Sequence, residues 1–145
     1  DQNYIRCAGS LGWGFPASLG AKCAAPDRPV LAFVGDGGFW YHIAELETAL
    51  RYGINTVTVV NNNHSLNQEK RGIERVYSEN PEGNSDELWQ FLDVDLAQVA
   101  RSIGCHGVRV EKPGQIRPAI EEALASGKPA LVDVVSDIEV VAPLP

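Results

Sequence analysis

The chain has no cysteine pair at metal-binding spacing, no basic cluster, no apolar run near the length of a membrane span, and no internal repeat or low-complexity tract. Each absence removes a class of function. A bilayer-spanning helix needs about twenty consecutive apolar residues; none are present, and with no secretory leader ahead of Asp1 a cytoplasmic location is the default expectation. Lys and Arg number 12 against 19 Asp and Glu, a formal net charge of -7. That balance argues against nucleic acid or an anionic membrane as partner, since both reward a basic surface. Cys7, Cys23 and Cys105 are odd in number and widely spaced, which disfavours iron–sulfur and zinc sites and leaves buried, reduced thiols as the expectation for all three. His42, His64 and His106 are equally scattered and lack metal-ligand spacing.

What is present is a short strand–helix–strand unit around which the chain is organised. Val30-Leu31-Ala32-Phe33-Val34 is an apolar run that stops at Gly35-Asp36-Gly37-Gly38, as a buried parallel strand does. Phe39, Ile43, Leu46 and Leu50 then recur at helical spacing up to Gly53, a natural helix stop. Thr56-Val57-Thr58-Val59-Val60 is a second strand, closed by Asn61-Asn62-Asn63-His64. A helix of about fourteen residues, roughly 20 Å long, carries the chain back along the first strand so that the second runs parallel to it. Asp36 and Asn62 then share the carboxyl edge of the sheet, where open α/β folds bind ligands. One is an anionic and the other a neutral hard oxygen donor, a pairing that suits Mg²⁺ or Ca²⁺. Gly37 and Gly38 leave backbone N–H groups bare for an anion such as phosphate.

Gly35-Asp36-Gly37, an interval in the mid-twenties and Asn61-Asn62 together resemble the signature of thiamine diphosphate (ThDP) enzymes, in the C-terminal domain that binds the cofactor's diphosphate. The resemblance runs from Gly9 to Pro143 and is nearest to the acetolactate synthase, benzoylformate decarboxylase and pyruvate decarboxylase group. It implies that Asp36 and Asn62 bind Mg²⁺ through side-chain oxygens and His64 through its carbonyl. It also implies that Gly37, Gly38, Ser65 and Leu66 border the diphosphate. Gly9-Ser10-Leu11-Gly12 falls where relatives hold the cofactor's bend, with Leu11 at the position of the supporting aliphatic side chain. On composition alone, that turn reads equally well as a loop whose glycines merely let the backbone reverse.

The implied activity is decarboxylation or carboligation of a 2-oxo acid by a ThDP-dependent lyase or transferase, with ThDP and Mg²⁺ as cofactors. No catalytic residue is expected in this chain. Relatives place the glutamate that activates the aminopyrimidine on a pyrimidine-binding domain of the same or a neighbouring subunit, so a homo-oligomer, dimer or tetramer, is implied and the isolated chain is expected to be inactive. An FAD site, where the parent enzyme has one, would lie outside these residues. Glu45 and Glu47 do not match the activating glutamate and read as helix-surface or interface charges. Residues 1–145 are read as one such domain, N-terminally truncated, without its first strand and helix and without the pyrimidine and middle domains.

The rest of the chain reads as scaffold. Phe15, Leu19 and Cys23 share one face of a first helix; Ser65 to Tyr77 forms a short helix over the ligand; residues 79–86 are loop by composition. Leu96, Val99, Ala100 and Ile103 form a helical stripe with Asp95 as N-cap, and a second stripe runs from Ile116 to Leu124. Strands are expected at Val30–Val34, Val57–Val60, Val108–Val110 and Leu131–Val135, the last an apolar run broken by Asp133, and no chemistry is assigned to these later elements. The fold expected is α/β, doubly wound and mainly parallel, with helices on both faces. Two other functions fit parts of the pattern. A generic phosphate- or nucleotide-binding α/β domain explains the glycine turn but gives no reason for Asn61-Asn62, and a non-catalytic structural homologue would keep the core and lose the metal ligands.

Overall fold

The computed structural model describes residues 3–6, 9–77 and 83–140. Its centre is a four-stranded, wholly parallel sheet of order β1-β2-β4-β3, with β1 at Leu31–Gly35, β2 at Val57–Asn62, β3 at His106–Val110 and β4 at Ala130–Val135. Each expected strand is present, displaced or lengthened by one or two residues. The helices are α1 (Gly14–Ala24), α2 (Asp36–Trp40), α3 (Glu45–Tyr52), α4 (Lys70–Tyr77), α5 (Leu96–Ile103) and α6 (Ile116–Ala125). Among the described residues no helix is long and apolar enough to cross a membrane.

Because side chains alternate along a strand, β2 and β4 feed two separate cores. Val60 and Leu131 face one way and pack with Phe15 and Leu19 of α1, Phe39 of α2, Leu46 and Ala49 of α3, and Leu96, Ala97 and Ala100 of α5. Phe15 and Phe39 meet at 5.1 Å between ring centroids with planes tilted by 49°, a favoured aromatic geometry. Val57, Val59, Ala130 and Val132 face the other way, against Ala119 and Ala123 of α6. That second cover is narrow. Leu31 and Phe33 stand in register with Val57 and Val59, yet Phe33 is 73% exposed.

The helix expected between the first two strands is broken. Backbone bonds from His42 N–H to Phe39 O, Glu45 N–H to His42 O and Leu46 N–H to Ile43 O tighten residues 41–44 into a turn between α2 and α3. Tightening of this kind is common where helices end, and here it keeps Phe39 and Leu46 on the same core. Asp95 caps α5 as expected, its Oδ1 accepting the Gln98 N–H at 2.7 Å, and Gly104 ends it in the left-handed conformation. A 3₁₀ turn, Asn67–Glu69, precedes α4.

The cysteine expectation needs correction. Cys105 is buried with its thiol 3.6 Å from the Leu46 carbonyl, and burial pushes its pKa up, but Cys23, in the last turn of α1, is exposed. Cys7 lies outside the described residues, as does part of the 79–86 loop.

Gly107 is the tightest backbone contact between α5 and β3, since a Cβ there would overlap the Ala97 carbonyl oxygen. Gly107→Ala should therefore destabilise the protein by about 1–3 kcal/mol, the usual cost of overpacking, read as a lower urea midpoint at unchanged m-value.

Candidate functional site at the carboxyl edge of the sheet

The parallel register pairs Gly35 with Asn61, so Asp36 and Asn62, the next residue of each strand-end, emerge side by side. Both are only 2% exposed. One loop links them: the Ser65 N–H donates to Asp36 Oδ2 at 2.9 Å and the preceding amide, His64 N–H, donates to Asn62 Oδ1 at 3.2 Å. Two side-chain oxygens 26 positions apart in sequence are thereby held on successive amides of a single turn.

His64 itself adopts φ 57°, a left-handed conformation rare for a residue with a side chain and concentrated at functional sites. The turn is held from behind by the segment after the 3₁₀ turn Ser85–Leu88. Leu66 N–H donates to Trp89 O and Phe91 N–H to His64 O, each at 2.7 Å, and Trp89 is buried beneath the Lys70 ammonium, which lies 5.0 Å from its ring centroid. The His64 carbonyl thus already accepts one bond and retains a second lone pair. Its imidazole stands 3.6 Å from Asp93, which Arg109 grips at 2.8 Å; that guanidinium holds the Asp93 carboxyl below its usual pKa.

Burial raises the Asp36 carboxyl above its ordinary 3.8, opposed by N–H groups of Ser65, Gly37 and Asp36 itself and by the His64 imidazole. A desolvated carboxylate held chiefly by neutral amides favours an added cation. The oxygens available beside it, Asn62 Oδ1 and the His64 carbonyl, are hard neutral donors, and among the described residues no cluster of three His, Cys, Asp or Glu side chains offers an alternative metal site. This donor set fits Mg²⁺ or Ca²⁺ rather than zinc or copper.

The glycine-rich turn joins the same edge. A Cβ on Gly38 would come within 3.4 Å of Gly12 N and of Leu11 Cδ1, so the turn at residues 9–12 lies directly against α2. Leu11 is 56% exposed and projects beside the site rather than into the core. The amides near Ser65, expected to contact the diphosphate, are instead engaged within the fold, Ser65 N–H by Asp36 and Leu66 N–H by Trp89, and the Ser65 hydroxyl donates to Asn63 Oδ1 at 2.9 Å; the start of α2 and the Leu66 side chain remain beside the site. A surface cleft of about 620 Å³, lined in part by Arg101, His106, Glu122 and Lys128, opens near the starts of β3 and β4, away from these residues.

Sequence reasoning missed Asp133. It is wholly buried in the middle of β4, and its Oδ1 accepts the Asn62 Nδ2 at 2.8 Å. The signal was a charged residue interrupting the apolar run Ala130–Val135; a lone carboxylate in a strand covered on both faces needs buried partners. Those partners are Asn62, the Leu96 N–H at 3.0 Å and Arg109 at 3.5 Å.

Comparison with known proteins agrees with this geometry. Residues 1–134 match the family described as thiamine pyrophosphate enzyme, C-terminal TPP binding domain. The chain is 35% identical over 128 residues to the acetolactate synthase large subunit of Haemophilus influenzae, covering 88% of this chain and 22% of that protein. It is 37% identical over 148 residues to the glyoxylate carboligase of Escherichia coli O157:H7, covering 95% and 24%. Among solved structures, the thiamine diphosphate-dependent 4-hydroxybenzoylformate decarboxylase of Rhodococcus jostii superposes with a TM-score of 0.73 at 30% identity, over 88% of this chain and 23% of that one. A parallel α/β domain whose strand ends present an Asp and an Asn to one loop is thus a ThDP-binding domain. The chain belongs to the C-terminal TPP-binding domain family of thiamine pyrophosphate enzymes, and it spans about a quarter or less of the length of these relatives.

Gly12 sits at φ 87°, and a Cβ there would lie 2.8 Å from His42 Cδ2 and 3.1 Å from Gly38 O. Gly12→Ala should lower stability by about 1–3 kcal/mol and should loosen the turn that carries Leu11, seen as faster amide exchange across residues 9–12.

Proposed function

We propose that this domain anchors ThDP through one Mg²⁺ as the C-terminal part of an acetolactate-synthase-like 2-oxo acid decarboxylase or carboligase. The observation that carries the reading is the placement of the Asp36 and Asn62 oxygens on successive amides of one loop at the sheet's carboxyl edge. Asp36, Asn62 and the His64 carbonyl would hold the ion, a set of hard oxygen donors that suits Mg²⁺. Gly37, Gly38, Ser65 and Leu66 would border the diphosphate. Gly9, Ser10, Leu11 and Gly12 would meet the pyrimidine side, with Leu11 beneath the bend.

ThDP, when bound, supplies the electron sink needed to decarboxylate a 2-oxo acid. What these residues contribute is anchoring and shape. Asp36 would hold the cation that offsets the diphosphate's negative charge, which matters in a chain of net charge -7. The exposed Leu11 leaves one side of the cofactor to be enclosed by a second surface. That surface is read as a pyrimidine-binding domain of the same or a neighbouring subunit in a homo-oligomer, carrying the activating glutamate. The three relatives differ in the reaction their names state, and both decarboxylation and carboligation are within the reading.

Calorimetric titration of the full protein with Mg²⁺ and ThDP tests it. Asp36→Ala removes the charged ligand and should weaken ThDP binding by more than the roughly 10–100-fold typical of losing an outer-sphere partner; unchanged affinity would sink the assignment. Asn62→Ala removes a neutral oxygen and should cost less than Asp36→Ala.

Leu11→Ala separates shape from anchoring. Turnover should fall on the order of tenfold to a hundredfold, as for a misplaced reacting group, with ThDP affinity nearly unchanged. Equal losses in turnover and affinity would count against a supporting role for Leu11.

A further inference from the structure

Asn62 can serve a cation only with its oxygen outward, and the two ends of a carboxamide have nearly the same shape. Something other than packing must therefore choose between them. We propose that Asp133 is the positioning residue that makes this choice, an inference that rests on Asn62 being a metal ligand. Asp133 is 0% exposed and an ionised carboxylate can only accept hydrogen bonds. Its Oδ1 takes the Asn62 Nδ2 at 2.8 Å, while its Oδ2 takes the Leu96 N–H at 3.0 Å and faces Arg109 at 3.5 Å. A second acceptor, the Val94 carbonyl, lies 3.5 Å from the same Nδ2. With acceptors behind it, the amide turns its nitrogen inward and its Oδ1 toward the loop, where the His64 N–H meets it at 3.2 Å. The reversed amide would set oxygen against carboxylate and N–H against N–H.

The same donor–acceptor logic predicts what substitution does. In Asp133→Asn, the Leu96 N–H and Arg109 still require an acceptor, so the new side chain keeps its oxygen on their side and turns its NH₂ toward Asn62. Asn62 must then reverse, giving its oxygen to residue 133 and its nitrogen to the cation. Asn62→Asp alone sets two carboxylates against each other across the 2.8 Å contact. The double change Asn62→Asp with Asp133→Asn restores the pairing: the NH₂ at position 133 donates to the carboxylate at 62, Leu96 and Arg109 keep their acceptor, and an oxygen again faces the loop. Net charge equals that of the wild type.

The experiment uses the full protein, reading Mg²⁺ affinity by calorimetry at saturating ThDP and the melting temperature without either ligand. Asp133→Asn should melt within a few degrees of wild type yet bind Mg²⁺ about 10–100-fold more weakly, the usual effect of losing an outer-sphere partner. The double variant should recover wild-type affinity to within about threefold, a coupling that only a direct interaction gives. A merely structural role would lower the melting temperature in proportion to any loss of Mg²⁺. Asp133→Asn with wild-type Mg²⁺ affinity overturns the proposal, as does a double variant no better than the single. If Asp133→Asn fails to fold, the double variant decides: folded and Mg²⁺-binding supports the proposal, unfolded or unable to bind Mg²⁺ overturns it. Failure of the wild-type protein to bind Mg²⁺ with ThDP is a distinct result, which removes the reading of Asn62 as a ligand and this inference with it.

Discussion

The in-register parallel pairing of β1 with β2, Gly35 against Asn61, is the constraint on which the site depends. A parallel pair ends both strands at the same edge, so the residue after each apolar run arrives at the same place without any long-range recognition between the two loops. A one-residue slip would turn the next side chain of β2 to the opposite face and take Asn62 out of reach of the His64 amide. That slip is resisted by burial. Val57, Val59 and Val60 are packed on both sides of the sheet, and shifting them would exchange the two cores.

Most of the electrostatic cost of this edge is met within the fold, before any ligand arrives. Asp36, Asn62 and Asp133 are all desolvated, and burial pushes both carboxyls upward in pKa. Each is compensated differently. Asp133 has an amide NH₂, a helix-start N–H and a guanidinium, so its charge is matched from within the protein. Asp36 has backbone amides and an imidazole nearby, and amides oriented by a rigid strand end stabilise an anion less completely than a cation does. On the proposed reading, the difference makes Asp36 rather than Asp133 the carboxylate that faces an added ion. The strained His64 turn, tied to Trp89 and Phe91 by two backbone bonds, holds the oxygens in place, and preorganisation of this kind reduces what binding must later spend on ordering.

The fold was largely legible because strands and helices alternate with clear periodicities and because Gly35, Gly53 and Gly104 punctuate them. The break between α2 and α3 was not legible, since Phe39, Ile43, Leu46 and Leu50 keep helical spacing across it and a turn of i→i−3 bonds leaves that spacing almost intact. The meeting of Asp36 and Asn62 followed from topology alone. Asp133 was visible as an anomaly in an apolar strand, but its function was hidden: β2 and β4 are neighbours only because the chain skips a position in the sheet order, and nothing local to residues 130–135 announces that Asn62 lies beside them. Cys23 failed for a simpler reason. Helical phase says which face a residue occupies, not whether the core extends that far along the helix.

Relatives whose names state three different reactions share this domain, and the distribution of contacts shows how one frame can serve them. The proposed ligand positions stand at the ends of β1 and β2 and are braced by β4; the side chains of β2 and β4 are mostly buried. Helix α4, which follows the His64 turn, contributes no buried residue. Its start is tied by the Lys70–Glu139 ion pair at 3.1 Å, and the 3₁₀ turn before it by the Asn67 amide on the Ile138 carbonyl. Exposed ion pairs of that kind contribute little, roughly 0–1 kcal/mol. Chemistry that differs between members of a fold accumulates in such loosely held segments beside a fixed frame. In this chain Leu66, whose N–H donates to Trp89 O, still belongs to the braced loop, and α4 begins at Lys70.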